Sequence, residues 1–180
     1  MLKAAFLDRD GVINANVRVG NTLGPPRVIS EINILPGVLA ALNLLSQNDY
    51  LVVIVTNQPD VARGTKKISD VNLINQHIGK KTGISHFYVC PHDDFDKCFC
   101  RKPKPGLIEI ASKELGIDLD DSFLVGDRWR DIEAGQAMGL PSFFIDMSNP
   151  ELSPPLPFTR VTSLLEAVTI RIGEKNAPRH

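Results

Sequence analysis

The sequence predicts an α/β fold in which a mostly parallel sheet carries helices on both faces. One observation is that short apolar segments alternate along the chain with segments of helical periodicity. Another is that the strongest strand, 51–55, is apolar without alternation, as expected for a parallel strand that is covered on both faces. Folds of this class bind their ligands at the edge of the sheet where the strands end, so polar residues that follow strands are of interest.

Length and composition predict a single globular domain. The chain has 180 residues with 43% apolar and 23% charged residues, enough for a substantial core. We expect the domain to span 1–173 and the tail 174–180 to be flexible. The net charge of -1 argues against a nucleic-acid partner. The sequence shows neither a signal segment nor an apolar stretch that could span a bilayer, so we expect a cytoplasmic protein without a membrane partner. We also expect it to be a monomer.

Five strands and five helices are predicted in alternation. The strands are 3–7, 51–55, 86–89, 122–125 and 142–145. The helices are 38–45, 69–81, 107–115, 132–138 and a last one from about 164, with Ser69 and Ser163 as caps of the second and the fifth. Residues 14–34 form a predicted loop, which is either a flap against the substrate or a surface insertion. The proline-rich residues 146–160 predict an irregular crossing.

Two aspartates, Asp8 and Asp10, follow the first predicted strand, and Gly11 ends the pattern. Residues two apart in a strand point to the same side, so the two carboxylates converge beyond the strand. They would repel unless they bind a cation or share a proton. A simple turn is an alternative. A calcium loop from Asp8 would need glutamate at its twelfth position, where Val19 stands.

Polar side chains also follow two other predicted strands. They are Thr56, Asn57 and Gln58 after strand 51–55, and Asp127, Arg128 and Asp131 after strand 122–125. Because parallel strands end at the same edge of a sheet, we expect the three polar segments to converge on one site. Thr56 and Asn57 could instead cap a helical turn. Asp131 is either an orienting group or a carboxylate that the helix dipole favours.

The three cysteines, Cys90, Cys98 and Cys100, lie within eleven residues, and His92 lies among them. An odd number of cysteines in so short a segment is a poor disulfide framework. The pattern indicates either a metal site or reduced loop cysteines.

These motifs, in this order, resemble those of the haloacid dehalogenase superfamily of phosphatases over residues 3 to about 146. The matching motifs are Asp8-x-Asp10-Gly11, Thr56-Asn57-Gln58, Arg101-Lys102-Pro103 and Gly126-Asp127. The Cys-x-His and Cys-x-Cys pairs resemble the zinc-containing branch, which acts on heptose bisphosphates or histidinol phosphate. The resemblance implies a Rossmann-like three-layer sandwich with no large cap domain and a loop held by zinc.

The resemblance also implies the catalytic roles. Asp8 would be the nucleophile that forms an aspartyl-phosphate, and Asp10 would protonate the leaving group and then activate water. Asp8, Asp127 and the backbone carbonyl of Asp10 would hold magnesium, which prefers oxygen ligands. Thr56 and Lys102 would bind the phosphoryl oxygens.

Further contacts are implied in the same way. The rest of the substrate would contact Asn57, Gln58, Arg101 and Arg128. Structural zinc would be held by Cys90, His92, Cys98 and Cys100, three thiolates and one imidazole that make a closed tetrahedral set. This metal would fix the loop that leads to Lys102.

The expected function is that of a magnesium-dependent sugar-phosphate phosphatase, with a heptose bisphosphate as the first candidate substrate. The alternatives are a histidinol-phosphate phosphatase and a catalytically silent binding domain held by zinc. The sequence departs from the family in two places: Pro59-Asp60 replaces the usual Ser-Gly, and Arg128 replaces a lysine typical of the heptose enzymes. Both changes bear on substrate choice.

Overall fold

The computed structural model describes residues 2–19, 22–146 and 153–176, which contain eight strands and five α-helices. In chain order the strands are β1 (Leu2–Leu7), β2 (Val17–Val19), β3 (Thr22–Gly24), β4 (Tyr50–Asn57), β5 (His86–Cys90), β6 (Ile117–Gly126), β7 (Ser142–Ile145) and β8 (Thr159–Val161). The helices are α1 (Val38–Gln47), α2 (Ile68–Thr82), α3 (Gly106–Leu115), α4 (Trp129–Ala137) and α5 (Leu164–Asn176). None of these helices is long and apolar enough to cross a membrane.

Six strands form the central sheet in the order β5-β4-β1-β6-β7-β8, and all neighbouring pairs are parallel. The predicted parallel sheet is therefore confirmed. The chain runs outward from β1 through β4 to β5, and then returns to place β6 on the other side of β1. Such a reversal opens a crevice beyond the strand ends. Asp8, which follows β1, lies at this crevice.

Two apolar cores cover the two faces of the sheet, as expected for a three-layer sandwich. Alternate residues of β1 enter each core, with Ala5 and Leu7 on one face and Ala4 and Phe6 on the other. The first core includes buried residues of α1, α2 and α5. The second includes buried residues of α3 and α4. Because β1 is apolar on both sides, the strand that carries the aspartates is fixed by both cores.

The predicted strands and helices are present, but several boundaries differ. Ser69 is not the cap of α2, because the helix already begins at Ile68. The backbone N–H of Lys67 donates instead to Asp70 at 3.2 Å. Ser163 does cap α5, since its hydroxyl accepts the Glu166 N–H at 3.2 Å.

Three segments predicted to be irregular contain regular structure. Strands β2 and β3 pair as an antiparallel hairpin inside the predicted loop 14–34. Strand β8 lies inside the predicted crossing 146–160 and extends the sheet. Helix α5 continues to Asn176, so the predicted tail begins within a helix. Gly20, Asn21, Pro150 and residues 177–180, which also entered these predictions, lie outside the described residues.

Candidate active site

Three carboxylates meet where β1 and β6 end. Asp8 follows β1, and its backbone N–H donates to the carbonyl of Val125 in β6 at 3.0 Å. Carboxylate oxygens of Asp8, Asp127 and Asp131 lie within 4.8 Å of one another, and all three residues are buried. The polar segments after these two strands thus converge, as the parallel sheet predicts.

Two glycines allow the carboxylates to approach this closely. A Cβ atom on Gly11 would lie 2.1 Å from Oδ2 of Asp127, and its φ of +90° is in the left-handed region. A Cβ atom on Gly126 would lie 2.2 Å from the Cβ of Asp131. Any larger residue at either position would push the acidic side chains apart.

Lys102 is the cation within this carboxylate group. Its Nζ donates to Asp8 Oδ1 at 2.7 Å and to the Val55 carbonyl at 2.6 Å, and it lies 2.5 Å from Asp131 Oδ1. Burial alone would lower the pKa of Lys102, but the two carboxylates outweigh it and raise that pKa. Asp131 also accepts the Arg128 N–H at 3.0 Å. It therefore orients Lys102 and caps α4 at the same time, so both predicted roles are present.

One ammonium group does not balance three buried carboxylates. Burial raises the pKa of Asp8 to about 6, since the repulsion from Asp131 and Asp10 adds to it and Lys102 only partly offsets both. Burial and repulsion from Asp8 and Asp131 raise the pKa of Asp127. Its Oδ1 is buried without a hydrogen-bond partner. An oxygen-seeking divalent cation fits this set, because it would neutralise the carboxylates and bind the orphaned oxygen.

The carboxylate of Asp10 faces a different set of groups. Arg9 donates to it twice, from Nε at 3.1 Å and from Nη2 at 2.8 Å. The amides of Asn14 and Gln58 donate at 2.9 and 2.8 Å. Burial alone would raise the pKa of Asp10, but these four hydrogen bonds and the charge of Arg9 lower it. The side chain is therefore held as a carboxylate, separate from the cation site.

The segment Thr56-Asn57-Gln58 holds other site residues in place. The amide nitrogen of Gln58 donates both to Asp10 and to the hydroxyl of Thr56, the latter at 3.0 Å. Asn57 makes two 3.1 Å hydrogen bonds with the backbone of Lys102, one as donor and one as acceptor. These contacts replace the helix-cap alternative. The predicted contacts of the three side chains with substrate stay predictions.

A cavity of about 530 Å³ opens above the carboxylates. Its lining includes the predicted Arg101 and Arg128, together with three arginines that sequence reasoning missed: Arg27, Arg63 and Arg130. Residues 23–25 and 27 line the cavity too, which supports the flap interpretation of 14–34. Lys66 fixes this flap, because its buried Nζ donates to the carbonyl of Pro26 at 2.8 Å.

Acidic residues hold several of the cavity arginines. Asp94 accepts from Arg101 and from Arg130, each at 2.8 Å. Asp93 accepts from Arg63 at 2.6 and 3.0 Å, and these bonds lower its pKa to about 2. Both aspartates belong to the segment between His92 and Cys98, so that segment forms part of the cavity rim.

The cysteines and His92 form a second group of ligands. Their donor atoms lie 3.0–3.7 Å apart in the pairs in contact, and the cysteines are free. Four ligands about 2.0–2.3 Å from a tetrahedral zinc ion would lie about 3.3–3.8 Å from one another. The donor set and its spacing therefore fit such an ion, apart from one pair of sulfurs that is slightly close.

Comparisons with known proteins find relatives that match most of the chain. A family model described as HAD-hydrolase-like matches residues 99–149. The chain is 35% identical over 156 residues to a D-glycero-alpha-D-manno-heptose-1,7-bisphosphate 7-phosphatase of Photorhabdus laumondii, covering 80% of this chain and 82% of that protein. It is 36% identical over 147 residues to the corresponding beta-heptose enzyme of Pasteurella multocida, covering 76% and 77%.

A solved structure is similar over nearly the whole chain. The D,D-heptose 1,7-bisphosphate phosphatase of B. bronchiseptica, complexed with magnesium and phosphate, superposes with a TM-score of 0.82. The two chains are 27% identical, and the match covers 96% of this chain and 99% of the other. The chain therefore belongs to the haloacid dehalogenase superfamily, in the branch that includes these heptose-bisphosphate phosphatases, and is a phosphoric monoester hydrolase.

Proposed function

We propose that this enzyme removes the 7-phosphate of a D-glycero-D-manno-heptose 1,7-bisphosphate in a magnesium-dependent reaction, through an aspartyl-phosphate on Asp8. The observation that carries the proposal is the group of Asp8, Asp127, Asp131 and Lys102 at the base of an arginine-lined cavity. The names of the relatives and the magnesium and phosphate in the similar structure support it.

In the first half of the reaction, a carboxylate oxygen of Asp8 attacks phosphorus and the bond to the sugar oxygen breaks. Asp10, a carboxylate in the free enzyme, must first take up a proton, which it then gives to that departing oxygen. Magnesium, held by Asp8 and Asp127 with the Asp10 carbonyl, would offset the negative charge of the phosphoryl group. Lys102 binds a phosphoryl oxygen and lies against Asp8 already, at 2.7 Å.

In the second half, Asp10 takes a proton from a water molecule that attacks the phosphorus of the aspartyl-phosphate. The bond between phosphorus and Asp8 breaks, inorganic phosphate leaves, and the Asp8 carboxylate is restored. Thr56 and Lys102 hold the phosphoryl oxygens through both halves. Their role is to position the group and to balance its charge, which are the main tasks in phosphoryl transfer.

The cavity lining suits a substrate with a second anionic group. Apart from the residues that handle the transferred phosphoryl group, five arginines and two acidic residues, Asp60 and Asp94, line the cavity, so its lining has an excess of positive charge. Arg101 and Arg128 are the proposed contacts to the distal phosphate or hydroxyls, because a guanidinium binds such groups as a fork. Relatives named for the alpha and the beta heptose are equally similar to this chain, so both anomers are candidates.

Histidinol phosphate is the second candidate because Asp60 lines the cavity, and a carboxylate there could bind the ammonium group of that substrate. Asp60 lies 3.7 Å from Arg63 and stands where the family usually has a small residue. The excess of arginine over acid favours the bisphosphate.

We also propose that zinc occupies the group of Cys90, His92, Cys98 and Cys100 in a structural role. A set of four protein ligands leaves no open position for a substrate. Cys100 stands two residues before Lys102, so the metal would fix the segment that delivers this lysine.

The experiment is phosphate release measured with magnesium on both heptose 1,7-bisphosphate anomers, histidinol phosphate and simple sugar phosphates. We expect the highest kcat/KM on a heptose bisphosphate. A preference for histidinol phosphate would favour the second candidate. A protein inert towards all of them would contradict the proposal and favour a binding domain held by zinc.

A further inference from the structure

A fully buried arginine lies between the two catalytic aspartates. Arg9 has 0% exposure and is among the largest fully buried side chains in the described part of the chain. A buried charge is costly unless it is paired and hydrogen-bonded. Arg9 is not among the residues that line the cavity, and its guanidinium donates to side chains of the protein.

The contacts of Arg9 converge on the carboxylate of Asp10. Its Nε and Nη2 donate to the two different oxygens of Asp10, at 3.1 and 2.8 Å, which fixes the plane of the carboxylate as well as its position. Its Nη1 donates to the buried side chain of Asn75 in α2 at 2.8 Å. Through Asn75, helix α2 thereby helps to fix the position of the Arg9 guanidinium.

The other two donors to Asp10 differ in kind from this fork. Asn14 and Gln58 each donate one bond through a neutral amide, whereas Arg9 pairs its positive charge with the carboxylate through two bonds. A carboxylate has about four acceptor positions, and the four donors fill them. An amide bond is therefore the one that would be exchanged for a bond to substrate or water, while the fork persists.

We propose that Arg9 is a positioning residue for the phosphatase reaction, which holds the Asp10 carboxylate in the orientation for proton transfer to the leaving group and from water. This inference rests on the proposed function. The alternative is a structural ion pair that only ties the end of β1 to α2. The two roles predict different kinetics. Loss of a positioning residue slows the steps that need Asp10 but leaves the rate of attack by Asp8 unchanged.

The test compares Arg9→Lys, which keeps the charge but loses the fork, with the wild type on two substrates. One is a sugar phosphate, whose leaving group needs a proton. The other is p-nitrophenyl phosphate, whose leaving group needs none. On the sugar phosphate we expect kcat to fall about 10–100-fold with KM changed by less than about threefold, because part of the acid–base contribution is lost.

Rapid mixing with p-nitrophenyl phosphate should give the diagnostic result. We expect Arg9→Lys to release a burst of about one p-nitrophenolate per chain at the wild-type rate, followed by slow turnover, because hydrolysis of the aspartyl-phosphate still requires Asp10. Asn75→Ala keeps the fork and removes its support. It should shift the kinetics in the same direction by about 3–10-fold and covers the case in which Arg9→Lys does not fold.

The matched control is Arg171→Lys, which alters another buried arginine, on α5 and away from the site. It should lower the thermal midpoint without a change in burst or kcat. Wild-type kinetics in Arg9→Lys and Asn75→Ala, or equal losses on both substrates without a burst, would overturn the inference alone. A wild-type enzyme inert on every phosphate monoester would overturn the proposed function as well.

Discussion

Two groups of ligating side chains flank Lys102, and they are assembled in opposite ways. Asp8, Asp127 and Asp131 come from distant parts of the chain and meet because β1 and β6 are neighbours in the sheet. The cysteines and His92 come from eleven consecutive residues. The first group opens onto a cavity, whereas the second is complete in itself. This difference is why we propose the chemistry for the group with an open side and a supporting role for the closed one.

The largest expected effect comes from the open group. Asp8→Asn removes the nucleophile, so phosphate release should fall by more than about 10⁴-fold, beyond the range of a proton-transfer group. A coupled phosphate assay with magnesium measures this, with the exposed Asp120→Asn as control. Activity in Asp8→Asn near that of the control would contradict the role of the carboxylate group.

In the closed group, loss of one ligand should lower the stability of the protein. Cys100→Ser removes one of four ligands, so we expect zinc content to drop from about one per chain to near zero and the thermal midpoint to fall by more than about 5 °C. Elemental analysis and thermal unfolding measure both. Phe95→Ser changes a fully exposed residue of the same loop and should alter neither. Unchanged stability in zinc-free Cys100→Ser would remove the distinction between the two groups.

A smaller effect is expected from pH in magnesium-free protein. The pKa of Asp8 is about 6 in the folded chain against an ordinary value of 3.8. Between about pH 4 and 6 the folded state thus binds more protons than the unfolded state, and stability decreases as pH rises, by on the order of 3 kcal/mol.

Urea unfolding across this pH range, after magnesium is dialysed away, measures that slope. Magnesium should reduce it, because a bound cation favours the carboxylates. Asp8→Asn is the control and should lack this contribution. If stability instead rises between about pH 4 and 6 in both the wild type and Asp8→Asn, repulsion among the buried carboxylates does not destabilise the folded protein.

The smallest effect is expected at the rim that joins the two groups. Asp94 is half exposed and pairs with Arg101 and Arg130. Asp94→Asn should change the free energy of unfolding by less than about 1 kcal/mol, as is usual for exposed ion pairs. It should change KM for a bisphosphate by only a few-fold. A loss of kcat comparable to that in Asp8→Asn would place the rim within the catalytic machinery.

The sequence predicts the site well where local pattern and sheet geometry suffice. Asp8 and Asp127 could be placed together because apolar segments identify parallel strands, and such strands end at one edge. The cysteine cluster could be found because its members are adjacent in sequence. In both cases a pattern within a few residues carries the information.

The parts that sequence reasoning missed depend on long-range packing. Nothing local indicates that Arg9 is buried or that it reaches Asn75 in α2. In the sequence, Arg63 and Arg130 have the pattern of ordinary surface residues. Only the fold shows that both line the same cavity. Strand β8 is three residues long and pairs with β7 at the edge of the sheet, so its own short sequence gives little signal.

Trapping the covalent intermediate tests the central claim most directly. Asp10→Asn slows the hydrolysis of an aspartyl-phosphate but leaves Asp8 able to attack p-nitrophenyl phosphate. After rapid acid quench, peptide mass spectrometry should find one phosphoryl group, located on Asp8. A phosphoryl group on another residue, or continued phosphate release from Asp10→Asn with no adduct, would contradict the account.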